Sequence, residues 1–255
     1  MPKIKAYHCP ADIDEALQLL TRPSVQSTVL AGGTCLGARI PPNIDEVIDL
    51  QQAGLAEVTY TGQGMTLGAM VRLQTLVDDG RAPALLRDSA RREGPNTLRN
   101  AATIGGTLCT PQRDSELLAA LLIYDAQVHI QSTSGSKTMD LASFLRDVRA
   151  GLNGSGILTA VSLKTIGKTA STRVARTPSD RSIVAALARR PHVGNIRLAL
   201  CGVDTVPVLV DPNNVKAAIN PPNDFRGSRE YRRQMAATLA ERIISELAEK
   251  EQSKH

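Results

Sequence analysis

Two glycine pairs, Ala31-Gly32-Gly33-Thr34 and Thr103-Ile104-Gly105-Gly106-Thr107, stand about seventy residues apart, each behind an apolar-rich run and each closed by a hydroxyl side chain. Glycine has no Cβ, so successive backbone N–H groups can turn inward on an anion through φ/ψ regions that other residues reach only at a cost. A threonine hydroxyl adds another donor. Either pair alone is ordinary turn punctuation at the end of a strand. Together they read as two halves of one anion cradle. No G-x-G-x-x-G or G-x-x-x-x-G-K-[ST] occurs at these loops, so the spacing supports neither dinucleotide binding at a Rossmann helix terminus nor a P-loop.

Other chemistry is scarce. Cys9, Cys35, Cys109 and Cys201 show no C-x-x-C spacing and read as reduced thiols, and His8, His129, His192 and His255 are isolated from one another. No metal site and no catalytic acid or base is read from the chain. Lys and Arg number 30 against 25 Asp and Glu, spread along the sequence rather than gathered in a stripe, which speaks against nucleic acid as a partner. With no Trp, two Phe and four Tyr, there are also few rings on which a base or a flavin could stack. Met1-Pro2-Lys3-Ile4-Lys5 runs directly into folded-looking sequence, with no apolar signal core and no span near twenty apolar residues. The expectation is a cytoplasmic protein without a transmembrane segment.

The elements that must hold the loops follow from periodicity. Apolar residues at 13, 16, 17 and 20 after Asp12 predict a capped amphipathic helix. Val25 to Leu30 reads as a strand feeding the first glycine pair, and Val47 to Leu50 as a short buried strand. Val58 to Tyr60 and Met65 to Ala69 flank a Gly-Gln-Gly turn and predict a hairpin. Helices are expected over Leu73 to Asp79 and Ala82 to Arg92, then a strongly apolar one over Ser115 to Leu122 with an acid in its first turn. Ala126 to Gln131 reads as a strand, Ser132 to Ser136 as a polar turn, Met139 to Arg146 as a short helix and Ile157 to Leu163 as a strand. Lys164 to Arg181 reads as a surface crossing between domains. Strands at Ile183 to Ala188, Asn195 to Leu200 and Val206 to Val210 follow, and a long helix begins near Ser228 with one apolar face at 235, 239, 243 and 247. At 255 residues the chain suits two domains, divided as 1–168 and 169–255.

This order of segments resembles the FAD-binding medium subunit of the molybdenum hydroxylases, the family of xanthine dehydrogenases, aerobic carbon monoxide dehydrogenases and related oxidoreductases. The likeness spans nearly the whole chain. It is carried by Tyr7-His8-Cys9-Pro10, the two glycine segments, Leu67-Gly68-Ala69, Arg99-Asn100-Ala101-Ala102, Gly156-Ile157-Leu158-Thr159, Leu200-Cys201-Gly202-Val203 and the stretch from Asp224 to Arg233. The resemblance implies an α+β chain: a two-lobed FAD-binding domain of the vanillyl-alcohol-oxidase/PCMH type, then a small α+β C-terminal domain. It places the FAD pyrophosphate on Ala31, Gly32, Gly33, Thr34, Cys35, Thr103, Gly105, Gly106 and Thr107, with Glu116 and Leu158 as further contacts. Relatives often carry Asn where Thr107 stands, Asp where Glu116 aligns, and in some a flavin-proximal Lys near Thr172.

The implied role is electron transfer from iron–sulfur clusters through FAD to an external acceptor, with the molybdenum cofactor in a large partner subunit and 2Fe-2S clusters in a small one, as a dimer of heterotrimers. A cofactor-free structural subunit and a stand-alone flavin reductase are the alternatives. Glu116 has two readings, a first-turn helix acid or an acceptor for a FAD donor. Arg99 and Asn100 divide in the same way, and Arg229 to Arg233 reads as a solvated helix face or a subunit contact.

Overall fold

The computed structural model describes residues 4–36 and 40–252, the last three of these as backbone only. Two compact units result, the first from Met1–Leu76, Asn96–Thr110 and Gln127–Ser162, the second from Val77–Pro95, Pro111–Ala126 and Leu163–His255. The chain thus enters the second unit at 77 and again at 111 before its last entry at 163, which lies close to the single boundary expected at 168.

In the first unit, β1 (Ala6–His8), α1 (Ile13–Leu20), β2 (Ser27–Leu30) and β3 (Glu46–Asp49) build a parallel sheet of order β1-β3-β2. Helix α1 starts as expected: the Asp12 carboxylate accepts from the Glu15 amide at 2.8 Å, and Glu15 accepts in return from the Ala11 amide. Its Ala16 and Leu17 are buried in one cluster with Ile48 of the central strand β3 and with Leu50 just beyond it. Strands β4 (Val58–Thr61) and β5 (Gly64–Gly68) form the expected hairpin, with Val58 opposite Leu67 and Thr61 opposite Gly64.

Five helices come next: α2 (Leu73–Asp78), α3 (Ala84–Arg91), α4 (Asn96–Arg99), α5 (Ile104–Cys109) and α6 (Glu116–Ile123). Then β6 (Gln127–Ser132), β7 (Gly135–Asp140), α7 (Leu141–Arg146), α8 (Val148–Gly151) and β8 (Ile157–Lys164) complete a five-stranded sheet of order β4-β5-β8-β6-β7. Strand β7 replaces the start of the expected 139–146 helix. Its sequence, Gly-Ser-Lys-Thr-Met-Asp, is almost wholly exposed at a sheet edge, so it carries no apolar alternation to read.

The second unit holds β9 (Lys168–Val174), β10 (Val184–Arg190), β11 (Arg197–Cys201) and β12 (Val208–Val210), antiparallel in the order β12-β11-β10-β9, followed by α9 (Arg229–Gln252). Strand β9 runs through the segment expected as a surface crossing. Its Lys-Thr-Ala-Ser-Thr-Arg-Val is polar, and a full seven-residue register with β10 makes it a strand. Successive strand residues alternate between faces. On one face of β10, Val184, Ala186 and Ala188 share a core with Ala236, Leu239, Ala240, Ile243 and Leu247 of α9. From the other face, the Arg189 guanidinium donates to the Ile123 carbonyl of α6 at 2.6 Å and also pairs with Asp125. Every residue of α6 is buried.

Arg232 departs from the expected solvated face of 229–233. It is 1% exposed and donates to the carbonyls of Ile183 at 2.6 Å and Gly202 at 2.9 Å and to Asp224 at 2.7 Å. No helix among the described residues is long and apolar enough to cross a membrane.

Candidate functional site

The two glycine segments meet within the first unit. A Cβ placed on Gly32 would collide with the Ala101 carbonyl, so the first segment lies backbone to backbone against the residues that lead into the second. Gly33 reverses the chain at φ 68, a conformation that glycine adopts without strain. Beyond it, the Thr110 hydroxyl donates to the Cys35 sulfur at 3.5 Å, a second link between the segments. The amides of Gly32, Gly33, Thr34 and Cys35 donate to no other described residue. Among the described residues nothing competes with a ligand for them.

The second segment differs from the sequence expectation, because Gly105 and Gly106 sit in the first turn of α5 rather than in an open loop. Its amides are committed: Ile104 to the Val71 carbonyl at 2.9 Å, Gly105 to the Ala69 carbonyl at 2.7 Å, Gly106 to the Thr103 hydroxyl at 3.1 Å and Thr107 to the Thr103 carbonyl at 3.0 Å. The Thr107 hydroxyl also donates to the Thr103 carbonyl, at 3.0 Å. Gly105 serves packing, since an added Cβ would sit 2.8 Å from that of Ala69. The two segments therefore contribute differently, the first by open amides and the second by close approach and the hydroxyl of Thr103.

Around this contact lies a pocket of about 240 Å³ lined by Ala31, Gly32 and Thr103, with Met70 and Ala56 as apolar wall and Gln51, Arg72, Asn100 and Ala101 completing it. Arg72 is exposed and is the one charged residue among that lining, and its guanidinium has no partner among the described residues. Periodicity missed it and Gln51, because both come from connections that carry no motif. The only available signal was their position directly after β5 and β3.

Of the expected site residues only Ala31, Gly32 and Thr103 line this pocket; Gly33, Thr34, Cys35, Gly105, Gly106, Thr107, Glu116 and Leu158 do not. Leu158 is a buried residue of β8 opposite Ile130. Glu116, 3% exposed in the second unit, lies between Arg92 at 2.8 Å and Arg173 at 3.0 Å and accepts from the Ser182 hydroxyl. Thr172, on β9, stands opposite Ala186. Near Glu116 in the same unit, Arg181 bonds Asp114 at 2.7 Å and pairs with Glu93, while Arg226 reaches Asp114 at 2.7 Å. Burial pushes the Glu93 carboxyl up, against the pull of Arg181. These arginines, scattered over 92–226, belong to the machinery of the second unit and were invisible as a group in sequence.

The four cysteines are unpaired, and no group of three or more His, Cys, Asp or Glu that could hold a metal occurs among the described residues. Burial pushes the Cys109 thiol up to about 11. Tyr7 is pushed up to about 12, chiefly because its hydroxyl donates to Asp49. His255 lies outside the described residues.

The family described as the FAD binding domain in molybdopterin dehydrogenase matches residues 2–163. Uncharacterized protein YgfM of Escherichia coli K12 is 30% identical over 252 residues, covering 92% of this chain and 93% of its own. The glyceraldehyde dehydrogenase medium chain of Sulfolobus acidocaldarius is 26% identical over 284 residues, covering 95% and 98%. Among solved structures, carbon monoxide dehydrogenase from Hydrogenophaga pseudoflava lacking the Mo-pyranopterin moiety superposes with a TM-score of 0.85 at 20% identity, over 97% of this chain and 98% of that one, a likeness of fold. The family match covers well over half of the chain, and on that ground the chain belongs to the FAD-binding domain family of the molybdopterin dehydrogenases.

Proposed function

We propose that this chain is the FAD-binding electron-transfer subunit of a multi-subunit molybdenum hydroxylase. The observation that carries the reading is the seat at Gly32, where Gly32, Arg72 and Thr103 line one pocket and where the Gly32 amide and the Arg72 guanidinium have no partner among the described residues. Backbone donors and a guanidinium together are the complement of a diphosphate. The pocket, at about 240 Å³, is smaller than the roughly 300–1,000 Å³ of whole small-molecule sites. It suits the phosphates and an adjoining sugar rather than a complete dinucleotide.

In this reading Gly32, Gly33, Thr34 and Cys35 bind the diphosphate through their amides, Arg72 balances its charge, and Thr103 donates its hydroxyl while accepting from Gly106. Ala31 lines the seat, and Gly105 keeps α5 close to Ala69. Thr107 holds the turn by its bond to Thr103. Glu116 and Leu158 enter the proposal through the cores they build, and titration of Glu116 variants decides whether the acid also touches FAD. When bound, FAD supplies reversible acceptance of electrons, which no side chain provides. The chain supplies position, charge and exclusion of water, and no side chain is assigned as proton donor or acceptor.

The partners follow as part of the same proposal: a large molybdopterin-binding subunit, a small subunit with 2Fe-2S clusters, assembly as a dimer of heterotrimers in the cytoplasm, and delivery of electrons to an external acceptor. Four separated cysteines suit a chain that leaves cluster ligation to a partner. The test is the absorbance spectrum of purified protein supplied with FAD. Flavin bands that are released on denaturation are expected, and Gly32→Ala, whose methyl meets the Ala101 carbonyl, should lose them. A colourless wild type that ignores FAD overturns the proposal.

A further inference from the structure

Asp49 ends β3 and is 3% exposed, yet three donors converge on its carboxylate: the Tyr7 hydroxyl, the Gln51 amide at 2.9 Å and the Gln51 side-chain Nε2 at 3.0 Å. A buried carboxylate with three donors is well satisfied, which accounts for its stability there. The same arrangement has a consequence for Gln51, which is exposed and lines the pocket at Gly32. A carboxylate only accepts, so the end of the glutamine amide facing Asp49 is its NH2 and the opposite end is the carbonyl oxygen Oε1. One carboxylate thereby fixes both the backbone turn at Gln51 and the rotation of its side chain.

We propose that Asp49 is a positioning residue that holds Gln51 so that Oε1 accepts from a sugar hydroxyl of the nucleotide in this pocket. The inference rests on the FAD reading above. Its support is the chemistry of the lining: the Gly32 amide, Arg72 and Thr103 are donors suited to phosphate oxygens, whereas Gln51, a lining residue of the same pocket, has its Nε2 taken by Asp49 and keeps Oε1 as an acceptor. A phosphate has no proton to give at such an acceptor; the hydroxyls of the sugar attached to it do. Ordering a long amide side chain before the ligand arrives removes part of the cost of binding.

The test is a double-mutant cycle read by quenching of FAD fluorescence in the full chain, with thermal unfolding of each unliganded variant as the folding control. Gln51→Leu should weaken FAD binding about fivefold to tenfold, the range expected for one hydrogen bond. Asp49→Asn should weaken it by a similar factor, and the double variant should bind no worse than Gln51→Leu, because Asp49 acts through Gln51. A residue of merely structural importance gives multiplied losses instead, and that result overturns the proposal. Gln51→Leu changes an exposed site, so a wild-type Kd in that single variant overturns it even if Asp49→Asn fails to fold. A wild type that does not bind FAD sinks the FAD reading together with this inference, whereas wild-type binding with an indifferent Gln51→Leu sinks the inference alone.

Discussion

Arg72 and Cys109 show how differently side chains in one unit behave. Arg72 is exposed and lines the pocket as its single charge, so removing its guanidinium breaks no hydrogen bond or ion pair among the described residues. Arg72→Ala should weaken FAD binding about tenfold at low salt, the order of one charge-assisted bond to a phosphate. The loss should shrink as salt approaches 1 M, where the Debye length falls to about 3 Å. Titrations at two ionic strengths check both parts, and a salt-independent loss argues for a packing role instead. Cys109 is governed by burial. Its thiol is raised from the ordinary value of about 9 to about 11, so the neutral form is favoured in the folded chain. The linkage sign is that of a raised group: the stability it contributes is full below pH 9 and is lost as pH rises through about 11. Alkylation followed by peptide mass spectrometry should label exposed Cys9 and Cys35 at neutral pH, with Cys109 labelled appreciably only as pH climbs toward 11.

Helix α6 depends on an ion cluster that its own sequence does not announce. Glu116 opens the helix as the expected first-turn acid, but its carboxylate also lies between Arg92 and Arg173, which come from α3's end and from β9. Removing one member of a buried group of charges leaves the others uncompensated, typically at about 3–5 kcal/mol. Glu116→Ala should lower the urea midpoint accordingly, with the FAD Kd of the folded protein within about threefold of wild type. A large change in Kd at unchanged stability would instead support the acceptor role toward FAD. The legible elements share one property: their signal is local. Helix α1 has its cap at Asp12 and its apolar stripe within eight residues, and the β4–β5 hairpin has its turn between two alternating runs. What stayed hidden is set by distant partners. Strands β7 and β9 are polar segments made into strands by pairing with β6 and β10, and α5 contains Gly105 and Gly106, which are poor helix formers held in place by the Thr103 cap and by Ala69 and Val71. The glycine contact of the site was legible because glycine is selected by backbone approach, whereas Arg72 and Gln51 belong to it only through the fold.

The chain as a whole divides its labour between two units built by interleaved segments, and the pocket is contained in the first of them. That containment makes a prediction about where the energy of binding appears. A ligand that binds the native state alone stabilises it by about 2.7 kcal/mol at a free concentration one hundred times Kd, which slows exchange from openings that break the site by about a hundredfold. Hydrogen exchange with and without FAD should therefore show added protection at 29–36, 49–56, 70–73 and 100–107, the segments that carry the pocket. Strands β9 to β12 and helix α9, which form a separate core around Ala186, Leu200 and Leu239, should exchange at unchanged rates wherever they open by local unfolding. Only amides exchanging through global unfolding should slow in both units together. The open amides of Gly32 to Cys35 give the sharpest reading, since they have no acceptor among the described residues and must exchange fast without ligand. If FAD protects the second unit while leaving these four amides unprotected, the nucleotide is held elsewhere and the glycine seat is a packing contact.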